Sequence, residues 1–448
     1  MDNGPGSVES VEMKSNILHN LTRPCPICTS ATGEILHTQR FVLPEGHPQA
    51  PSYDVVCCAE CGFVFADTPT SQRDYEEYYT KFSRYTNSEA SIGGGELAWD
   101  AGRLQHAAVD IARIVPDKRA RIADIGCVSG GLLRTLHRLG YTNLCGIDPA
   151  PSCVEQTRQA LGIDAFVGSL SQIPAEAGPF DCAILSHVLE HVRDLRPALT
   201  YLRQFLKPGA CIYVEVPDSL RYASFMLAPF QEFSTEHLNY FSLTSMTNLL
   251  HQCGFVPISS GTKVFLLAPN GAQPALFMFA TPSASTPSIK KDEELKRYLE
   301  NYITISRRMM DEIDVHLRRV LTQTPEVLVW GTGQLGLKLA AETALSDAEI
   351  VAFVDSNPIY QGMCLRGRPI LAPDQIEPGT TPIIIASFLH YHAICEDIRQ
   401  LGLPNPVIAL QTQTKTQAER IAELEITLRD RGFEYTNAIA FARSHEDN

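Results

Sequence analysis

The chain has 448 residues, of which 44% are hydrophobic and 20% are charged, as in ordinary soluble globular proteins, and this length suggests about two to four domains. Its net charge of −14 argues against a nucleic-acid-binding surface, since that surface needs clustered Lys and Arg. No apolar run approaches the roughly 20 residues that span a bilayer. Residues 1–20 are predicted to be a flexible leader, and the polar start of the chain lacks the features of a signal peptide. We therefore expect a cytoplasmic protein without membrane or nucleic-acid partners.

Two Cys-x-x-Cys pairs lie near the amino terminus. The first is Cys25 with Cys28, and the second, about thirty residues later, is Cys58 with Cys61, directly followed by a glycine. Each pair places two thiolates on one tight turn, and two such turns complete a tetrahedral site of four sulfur ligands. We predict a zinc-binding domain over residues 21–90 with a structural zinc ion, because four protein ligands leave no position open for catalysis. Unrelated buried cysteines or disulfide-bonded cysteines are the alternative.

Apolar runs alternate with amphipathic stretches over residues 91–282, which predicts a parallel sheet with crossover helices. The first strand runs into a glycine turn, "DIGCVSGG", and such turns commonly bind nucleotide phosphates. Val128, however, stands where a second glycine is expected, and the charge of Asp124 would repel a phosphate. The predicted strands are residues 121–125, 144–147, 165–167, 182–185 and 211–216, followed by a pair at 264–268 and 275–279 that would permit an antiparallel hairpin.

The acids of this region favour a cationic ligand that carries an adenosine. Asp124 beside the turn suits a charged amine better than a pyrophosphate, and Asp148 has the spacing of an acid that binds the two ribose hydroxyls. S-adenosylmethionine has both features, so we predict it as the cofactor; a dehydrogenase fold is the alternative. The predicted cofactor-binding residues are Asp124, Gly126, Gly130, Asp148, Ser169, Leu170 and Ser186.

Four segments in order, "DIGCVSGGLL", "GIDPAP", "FDCAILSHVLEHV" and "LKPGACIYVEVPD", resemble the motifs of class I S-adenosylmethionine-dependent methyltransferases. That resemblance implies a Rossmann-like α/β core with a seven-stranded sheet, in which the turn at Gly126 holds the methionine part of the cofactor and Asp148 the ribose. The order of cysteine pairs, core and a second glycine turn, over roughly residues 20–410, resembles the nucleotide-sugar C-methyltransferases. This finer resemblance implies a small-molecule acceptor, a keto-deoxysugar carried on thymidine diphosphate.

The segment "PFQEFSTEHLNYFSLTS", residues 229–245, is the predicted acceptor site. Methylation of a carbon beside a ketone needs a base that removes a proton and a group that stabilises the enolate oxygen. The resemblance to the C-methyltransferases implies that His237 is the base, that Glu236 is its neighbour, and that His191 points into the pocket.

One departure from that family concerns the tyrosine that commonly precedes the catalytic histidine by three residues. Ser234 occupies this position here, so Tyr79, Tyr85 or Tyr240 takes the role of the tyrosine, or the acceptor differs. Plain packing is the alternative for each of these side chains, and a metal site of two histidines and a glutamate is the hypothesis that we favour least. The predicted catalytic residues are His237, Glu236, His191 and Tyr79.

A second strand, glycine turn and helix begin at residue 326 with "EVLVWGTGQLGLKLA", a full GxGxxG pattern. Asp355 ends the next strand, which alone would indicate NAD. In the C-methyltransferases this turn serves packing and substrate closure, so we expect no bound nicotinamide. We predict a second Rossmann-like domain over residues 293–412, with a helix at 293–320 and strands at 349–357, 382–388 and 406–410.

Two connecting segments complete the chain. Residues 281–292 have the composition of a linker, and residues 413–448 are predicted to form a helical tail with one apolar face. That face would dock on the body of the protein or on a second copy of the chain, which would make a homodimer.

The sequence leaves four functions open. The first is C-methylation of a keto-deoxysugar nucleotide, and the second is S-adenosylmethionine-dependent O- or N-methylation of another small metabolite. The third is an NAD-linked sugar-nucleotide oxidoreductase that uses the second glycine turn. The fourth is a carrier or assembly module without activity, which Val128 would favour.

Overall fold

The computed structural model describes residues 17–83, 98–268 and 271–410. These residues form three β-sheets with helices packed against them. Most of the predicted leader, the side chain of Tyr85 and the predicted tail at 413–448 lie outside the described residues, so those predictions stay untested.

The first sheet is antiparallel and carries the cysteine pairs. It has the strand order β1-β2-β3-β4-β10, and its last strand comes from far along the chain. The sequence placed the first of these strands in the leader, and it placed the last inside the methyltransferase core, so the predicted boundaries do not separate this sheet from its neighbour. The strands are β1 His19–Asn20, β2 Thr32–Arg40, β3 Ser52–Cys58, β4 Val64–Asp67 and β10 Asn239–Tyr240, and helix α1, Gln72–Lys81, follows β4.

The second sheet has seven strands in the order β11-β12-β9-β8-β5-β6-β7. All are parallel except β12, which is antiparallel to both of its neighbours. The strands are β5 Ile122–Ile125, β6 Leu144–Asp148, β7 Asp164–Val167, β8 Phe180–Ser186, β9 Leu206–Pro217, β11 Phe255–Ala268 and β12 Gly271–Pro282. The helices are α2 Ala98–Ile114, α3 Gly131–Arg138, α4 Pro151–Leu161, α5 Leu195–Leu202 and α6 Leu243–Gln252.

This second sheet confirms the seven strands predicted from the sequence, including the antiparallel hairpin at its edge. The central strands β5 and β6 are buried along their whole length, as expected for parallel strands covered by helices on both faces. The order of the strands reverses between β5 and β8. In open α/β sheets a ligand binds at such a switch point, outside the carboxyl ends of the strands.

The predicted linker, residues 281–292, begins in the last two residues of β12 and continues as a connection that packs against the first sheet. The backbone N–H of Asp292 donates to the carbonyl of Cys61 at 2.9 Å, and the Asp292 carboxylate accepts from the hydroxyl of Ser242. Asp292 is buried. Helix α7, Leu295–Gln323, then follows close to its predicted position.

The third sheet has six strands in the order β15-β16-β14-β13-β17-β18. All but β15 are parallel, and the order reverses between β13 and β17, which makes this sheet doubly wound as well. Its strands are β13 Glu326–Trp330, β14 Glu349–Val354, β15 Cys364–Leu365, β16 Arg368–Leu371, β17 Ile383–Ile385 and β18 Val407–Ala409. Its helices are α8 Gln334–Glu342 and α9 Tyr391–Gln400.

The three sheets share one hydrophobic core. Val55 of the first sheet, Ile125 of the second and Val329 of the third belong to the same cluster of buried side chains. Helix α7 adds a buried face with Leu299 and Tyr302. Among the described residues, no helix has the length and the apolar composition that crossing a bilayer requires.

Candidate functional site

The first glycine turn lies at the switch point of the second sheet. Gly126 has φ +81°, and a Cβ atom there would lie 2.9 Å from a methyl group of Val188. Gly130 has φ +77°, and a Cβ atom there would lie 3.0 Å from the methyl group of Thr157. Both positions therefore need glycine for backbone conformation and for close packing.

Val128 occupies the middle of this turn in a left-handed conformation, with φ +48°. A β-branched residue therefore adopts a backbone conformation that glycine adopts more easily, and this conformation costs free energy. Two hydrogen bonds hold the strained residue: its N–H donates to Asp148 Oδ2 at 2.9 Å, and its carbonyl accepts from the Thr157 hydroxyl at 3.2 Å.

Asp148 ends β6 and is buried. Its second oxygen accepts from the backbone N–H of Ala150 at 2.9 Å. Burial raises the pKa of Asp148 to about 6. The two backbone hydrogen bonds oppose this increase, because they favour the charged form of the carboxylate. Each carboxylate oxygen keeps a further lone pair, so Asp148 can bind hydroxyl groups of a ligand while it holds the turn.

Asp124, on β5, is the second buried carboxylate of this crevice. Burial raises its pKa to about 7; the positive charge of Arg103 opposes that shift, and the charge of Asp148 adds to it. A cation bound beside Asp124 would favour its ionised form.

Ser169 and Leu170 follow β7 at the same edge of the sheet. Gly168, just before them, donates its N–H to the carbonyl of Asp148 at 3.0 Å. Leu170 is buried, and Ser169 is half-buried in a small bridge with Gln172. This places both predicted residues beside Asp148.

Ser186 ends β8 within a buried network of charges that the sequence reasoning missed. Its hydroxyl donates to Glu215 Oε1 at 3.2 Å and accepts from Arg103 at 3.4 Å. Lys263 lies 3.2 Å from the other oxygen of Glu215. Burial would raise the pKa of Glu215, but the hydrogen bond with His187 and the nearby positive charges hold it well below its ordinary value. Glu215 lies in one of the quoted motifs, whereas no local pattern marks Arg103 or Lys263.

The four predicted cysteine ligands come together at one point. The Sγ atoms of Cys25 and Cys61 are 3.5 Å apart, those of Cys28 and Cys58 are 3.3 Å apart, and all four lie within 4.8 Å of one another. Sulfur atoms bound to one zinc ion at about 2.3 Å are separated by about 3.8 Å. The four thiols therefore fit a tetrahedral zinc ion.

The turns of the two pairs have the same backbone form. Thr29 and Gly62, the residues after each pair, have φ of +65° and +74°, and each donates its N–H to the carbonyl of the first cysteine of its pair. Cys57 is not part of the cluster, because its Sγ contacts the carbonyl of Gly62 at 3.7 Å; burial raises its pKa to about 12. The choice of Cys58 as the ligand agrees with this geometry.

The predicted acceptor residues also lie together. The rings of His191 and His237 meet edge to face at 5.0 Å, and the ring of Tyr79 lies 5.8 Å from that of His191. His191 Nδ1 is hydrogen-bonded to the carbonyl of Glu236 at 3.0 Å. The side chain of Glu236 accepts a hydrogen bond from the phenol of Tyr78 at 3.0 Å. The sequence did not indicate this contact, since the predicted tyrosine was the adjacent Tyr79.

Ser234 shapes the loop that carries His237. Its hydroxyl accepts from the backbone N–H groups of Glu236 at 3.2 Å and of His237 at 3.0 Å. The hydroxyl of Tyr240, one of the candidates for the missing phenol, is buried and donates to the carbonyl of His237 at 3.1 Å. Tyr240 therefore supports the loop from behind, which leaves Tyr79 as the described candidate beside the histidines.

Glu190 lies under the histidine pair. Burial would lower the pKa of His187, but its hydrogen bonds to Glu190, at 3.1 Å, and to Glu215 raise that pKa to about 9. Ligand atoms of Glu190, His191 and His237 come within 4.8 Å of one another, a spacing that a metal ion could bridge. We assign no metal there, because the imidazolium of His187 beside Glu190 would repel a cation.

The second glycine turn uses its acid internally. Asp355 Oδ2 accepts from the backbone N–H of Thr332 at 2.7 Å and also from its hydroxyl. At the start of α8, Gln334 exchanges two hydrogen bonds with Thr235, at 3.2 and 3.0 Å. This turn thus contacts the loop of the candidate acceptor site.

A model of one protein family, described as a methyltransferase domain, matches residues 100–260. Residues 100–260 are a methyltransferase domain. Their doubly wound sheet, with two buried acids at its switch point, is the Rossmann-like fold of class I S-adenosylmethionine-dependent methyltransferases. A second family model, described as "C2185-like, N-terminal", matches residues 323–409.

Curated relatives match part of this chain. The ubiquinone biosynthesis O-methyltransferase of Methylocella silvestris is 33% identical over 103 residues, which cover 22% of this chain and 40% of that protein. The enzyme of the same description from Xylella fastidiosa is 32% identical over 124 residues, 26% of this chain and 50% of that protein. The chain spans less than two thirds of the length of these relatives.

Solved structures of similar proteins include the 1,6-didemethyltoxoflavin-N1-methyltransferase of Burkholderia thailandensis with bound S-adenosylhomocysteine. It is 17% identical, has a TM-score of 0.37, and is matched over 50% of this chain and 97% of its own. The magnesium protoporphyrin IX methyltransferase of Synechocystis with bound S-adenosylhomocysteine is 16% identical, has a TM-score of 0.36, and is matched over 47% of this chain and 99% of its own.

Proposed function

We propose that the chain transfers a methyl group from S-adenosylmethionine to a small-molecule acceptor. The observation that carries this proposal is the course of residues 187–191, which follow β8. Val188 packs against Gly126 of the cofactor turn, and His191, three residues later, meets His237. One short segment therefore connects the candidate cofactor crevice to the candidate acceptor cluster.

The cofactor crevice fits the parts of S-adenosylmethionine. Asp148 can accept the ribose hydroxyls, and Asp124 suits the positive charge of the methionine part. The bound cofactor would supply an electrophilic methyl group. The protein's part is to align the acceptor atom with that methyl group, since the transfer is an in-line displacement.

We propose, further, that the acceptor carbon lies beside a ketone, as in a nucleotide-linked keto sugar. Burial and the neighbouring His191 lower the pKa of His237, so its imidazole is neutral near pH 7 and can accept the proton of that carbon. Tyr79 beside His191 is the proposed donor to the enolate oxygen. The resemblance of "STEHLNYFS" to the C-methyltransferases supports this acceptor.

Proton exchange tests the acceptor class separately from methyl transfer. The enzyme is incubated with a panel of 4-keto-sugar nucleotides in deuterated water, and deuterium at the carbon beside the ketone is measured by mass spectrometry. We expect exchange with the wild type and its loss in His237→Ala. A methylated product without any exchange would contradict carbon methylation.

O-methylation of another metabolite is the second candidate. Ser234 supports it, since the tyrosine of the C-methyltransferases is absent from this position and the serine hydroxyl is engaged by the backbone of the loop. The ubiquinone biosynthesis O-methyltransferases among the relatives also favour it. Labelled S-adenosylmethionine with a panel of phenols and keto sugars separates the two candidates by the position of the label in the product.

We also propose that the four cysteines bind one structural zinc ion. The mutual distances of their sulfur atoms support this ligand set. The ion would stabilise the two turns of the first sheet and would take no part in methyl transfer, since all four of its positions are filled by protein.

A further inference from the structure

The second ring nitrogen of His237 faces a carboxylate that the sequence did not indicate. Its Nδ1 is buried and has no hydrogen-bond partner among the described residues. The carboxylate oxygen within 4 Å of it belongs to Glu232, at 3.8 Å, and not to the adjacent Glu236, which bonds to Tyr78. Glu232 is itself buried.

Glu232 is held in place by a chain of hydrogen bonds. The side-chain oxygen of Gln231 accepts from the backbone N–H groups of Leu227 at 2.7 Å and Ala228 at 3.0 Å, which fixes the orientation of its amide. The amide nitrogen of Gln231 then donates to Glu232 Oε1 at 2.9 Å. The backbone N–H of Glu232 donates to the phenol of Tyr302 on α7 at 2.9 Å. These contacts leave Oε2 directed at His237.

We propose that Glu232 is the positioning residue of the His237 base. Its carboxylate accepts a hydrogen bond from the N–H at Nδ1, so the lone pair on Nε2 is available to take a proton from the acceptor. This role rests on the proposed function. A carboxylate on the far side of an imidazole fixes the tautomer and stabilises the imidazolium that forms. The gap of 3.8 Å is of the kind that closes when a ligand binds, because catalytic hydrogen bonds are often long in ligand-free enzymes.

The charges around His237 support this assignment. Burial and His191 lower the pKa of His237, and Glu232 is the strongest of the three carboxylates that raise it, ahead of Glu190 and Glu236. The neighbouring His191 has its own partner, because its Nδ1 is hydrogen-bonded to the carbonyl of Glu236. Glu232 thus opposes the lowering of the pKa of this buried imidazole.

Nuclear magnetic resonance of histidine labelled with 15N tests the pair without turnover. His237→Gln identifies the signals of His237. We expect the wild type to carry its proton on Nδ1, and we expect Glu232→Gln to lower the pKa of His237 by about one unit and to populate the other tautomer. Glu236→Gln, the matched control, should leave the tautomer unchanged. A wild-type proton on Nε2, or an unchanged His237 in Glu232→Gln, would overturn the proposal.

Two further measurements separate this inference from folding and from the proposed function. Glu232→Asp keeps the charge and should keep the tautomer of His237. Glu232→Asp and Glu232→Gln should both bind S-adenosylhomocysteine as the wild type does. If Glu232→Gln does not fold, the wild-type tautomer and Glu232→Asp still decide the question. A protein with the expected tautomer but without any methyl transfer would contradict the proposed function. A protein that transfers methyl groups but carries the proton of His237 on Nε2 would contradict the pairing of Glu232 with His237.

Discussion

At the scale of single residues, Val128 is the most unusual feature of the methyltransferase domain. A branched residue in the left-handed region costs about 1–2 kcal/mol, and the hydrogen bonds to Asp148 and Thr157 keep Val128 there. The sequence indicated a damaged glycine turn, and the missing glycine was one reason to consider a chain without activity. The structure shows that the turn keeps its backbone form.

Replacing Val128 by glycine should therefore stabilise the domain. We expect a gain of up to about 1 kcal/mol, because relief of the left-handed strain exceeds the added entropy of the unfolded chain. The thermal unfolding midpoint measures it. Gly126→Ala is the control with the opposite sign, since its Cβ would lie 2.9 Å from Val188. A lower midpoint in Val128→Gly would show that the valine side chain contributes packing that outweighs the strain.

The raised pKa of Asp124, about 7, predicts that cofactor binding depends on pH. A cationic ligand lowers this pKa, so binding releases a proton, and the affinity for S-adenosylmethionine should increase as the pH rises toward 7 and level off above it. Asp148, with a pKa of about 6, titrates in the lower part of the same window.

Calorimetry in buffers of different ionisation enthalpy measures the released proton directly. Asp124→Asn should bind the cofactor more weakly, and its affinity for the cofactor should no longer change with pH between about pH 6 and about pH 7. An affinity of the wild type that stays constant between about pH 5.5 and about pH 8 would mean that Asp124 does not face the bound cation.

At the scale of the elements, one short strand joins the first sheet, which carries the four-cysteine cluster, to the loop of the proposed acceptor site. Strand β10 pairs with β4 and begins two residues after His237. The first cysteine turn precedes β2 and the second follows β3, and β3 pairs with both β2 and β4. The first sheet therefore supports the position of the proposed base.

Removal of one zinc ligand should test this connection. We expect Cys58→Ser to lose the single zinc ion per chain, as measured by metal analysis, and to reduce methyl transfer more than it reduces cofactor binding. Cys57→Ser, its neighbour outside the cluster, should keep both the metal and the activity. Folded wild-type protein without zinc, purified from zinc-containing medium, would contradict the assignment.

At the scale of the whole molecule, the third sheet contacts the loop of the proposed acceptor site. Gln334 at the start of α8 exchanges two hydrogen bonds with Thr235, and Tyr302 of α7 holds Glu232. The second glycine turn meanwhile binds its own acid, Asp355. The hydrogen bonds of Gln334 and Tyr302 favour a role of the third sheet in shaping the proposed acceptor site.

Gln334→Ala should raise the KM for the acceptor without changing the affinity for the cofactor. The loss of two hydrogen bonds, worth about 1–2 kcal/mol together, corresponds to a change of roughly 5- to 30-fold. Gly333→Ala is the matched control, because a Cβ there meets no atom within 4 Å. If Gln334→Ala weakened cofactor binding as much as it raised the KM for the acceptor, the loop at Thr235 would not act on the acceptor alone.

The parts of the fold that the sequence predicted are those with local signals. Buried runs predicted the strands of the second sheet and four strands of the third, and spacing predicted the four cysteines, whereas the short strands β15 and β16 were not predicted. Glu236 and His237 were predicted from the resemblance to the C-methyltransferases. Strand β10, by contrast, is two residues long and pairs with β4, which lies far earlier in the chain, and no periodicity marks such a pairing. The contact of Glu232 with His237 depends on how the loop turns at Phe230, which has φ +55°, and on the support from α7.

Calorimetry with S-adenosylhomocysteine and with NADH tests the proposed cofactor most directly. We expect one S-adenosylhomocysteine to bind per chain, at least about tenfold more weakly in Asp148→Asn, and no binding of NADH. Binding of NADH without binding of S-adenosylhomocysteine would contradict the proposed cofactor.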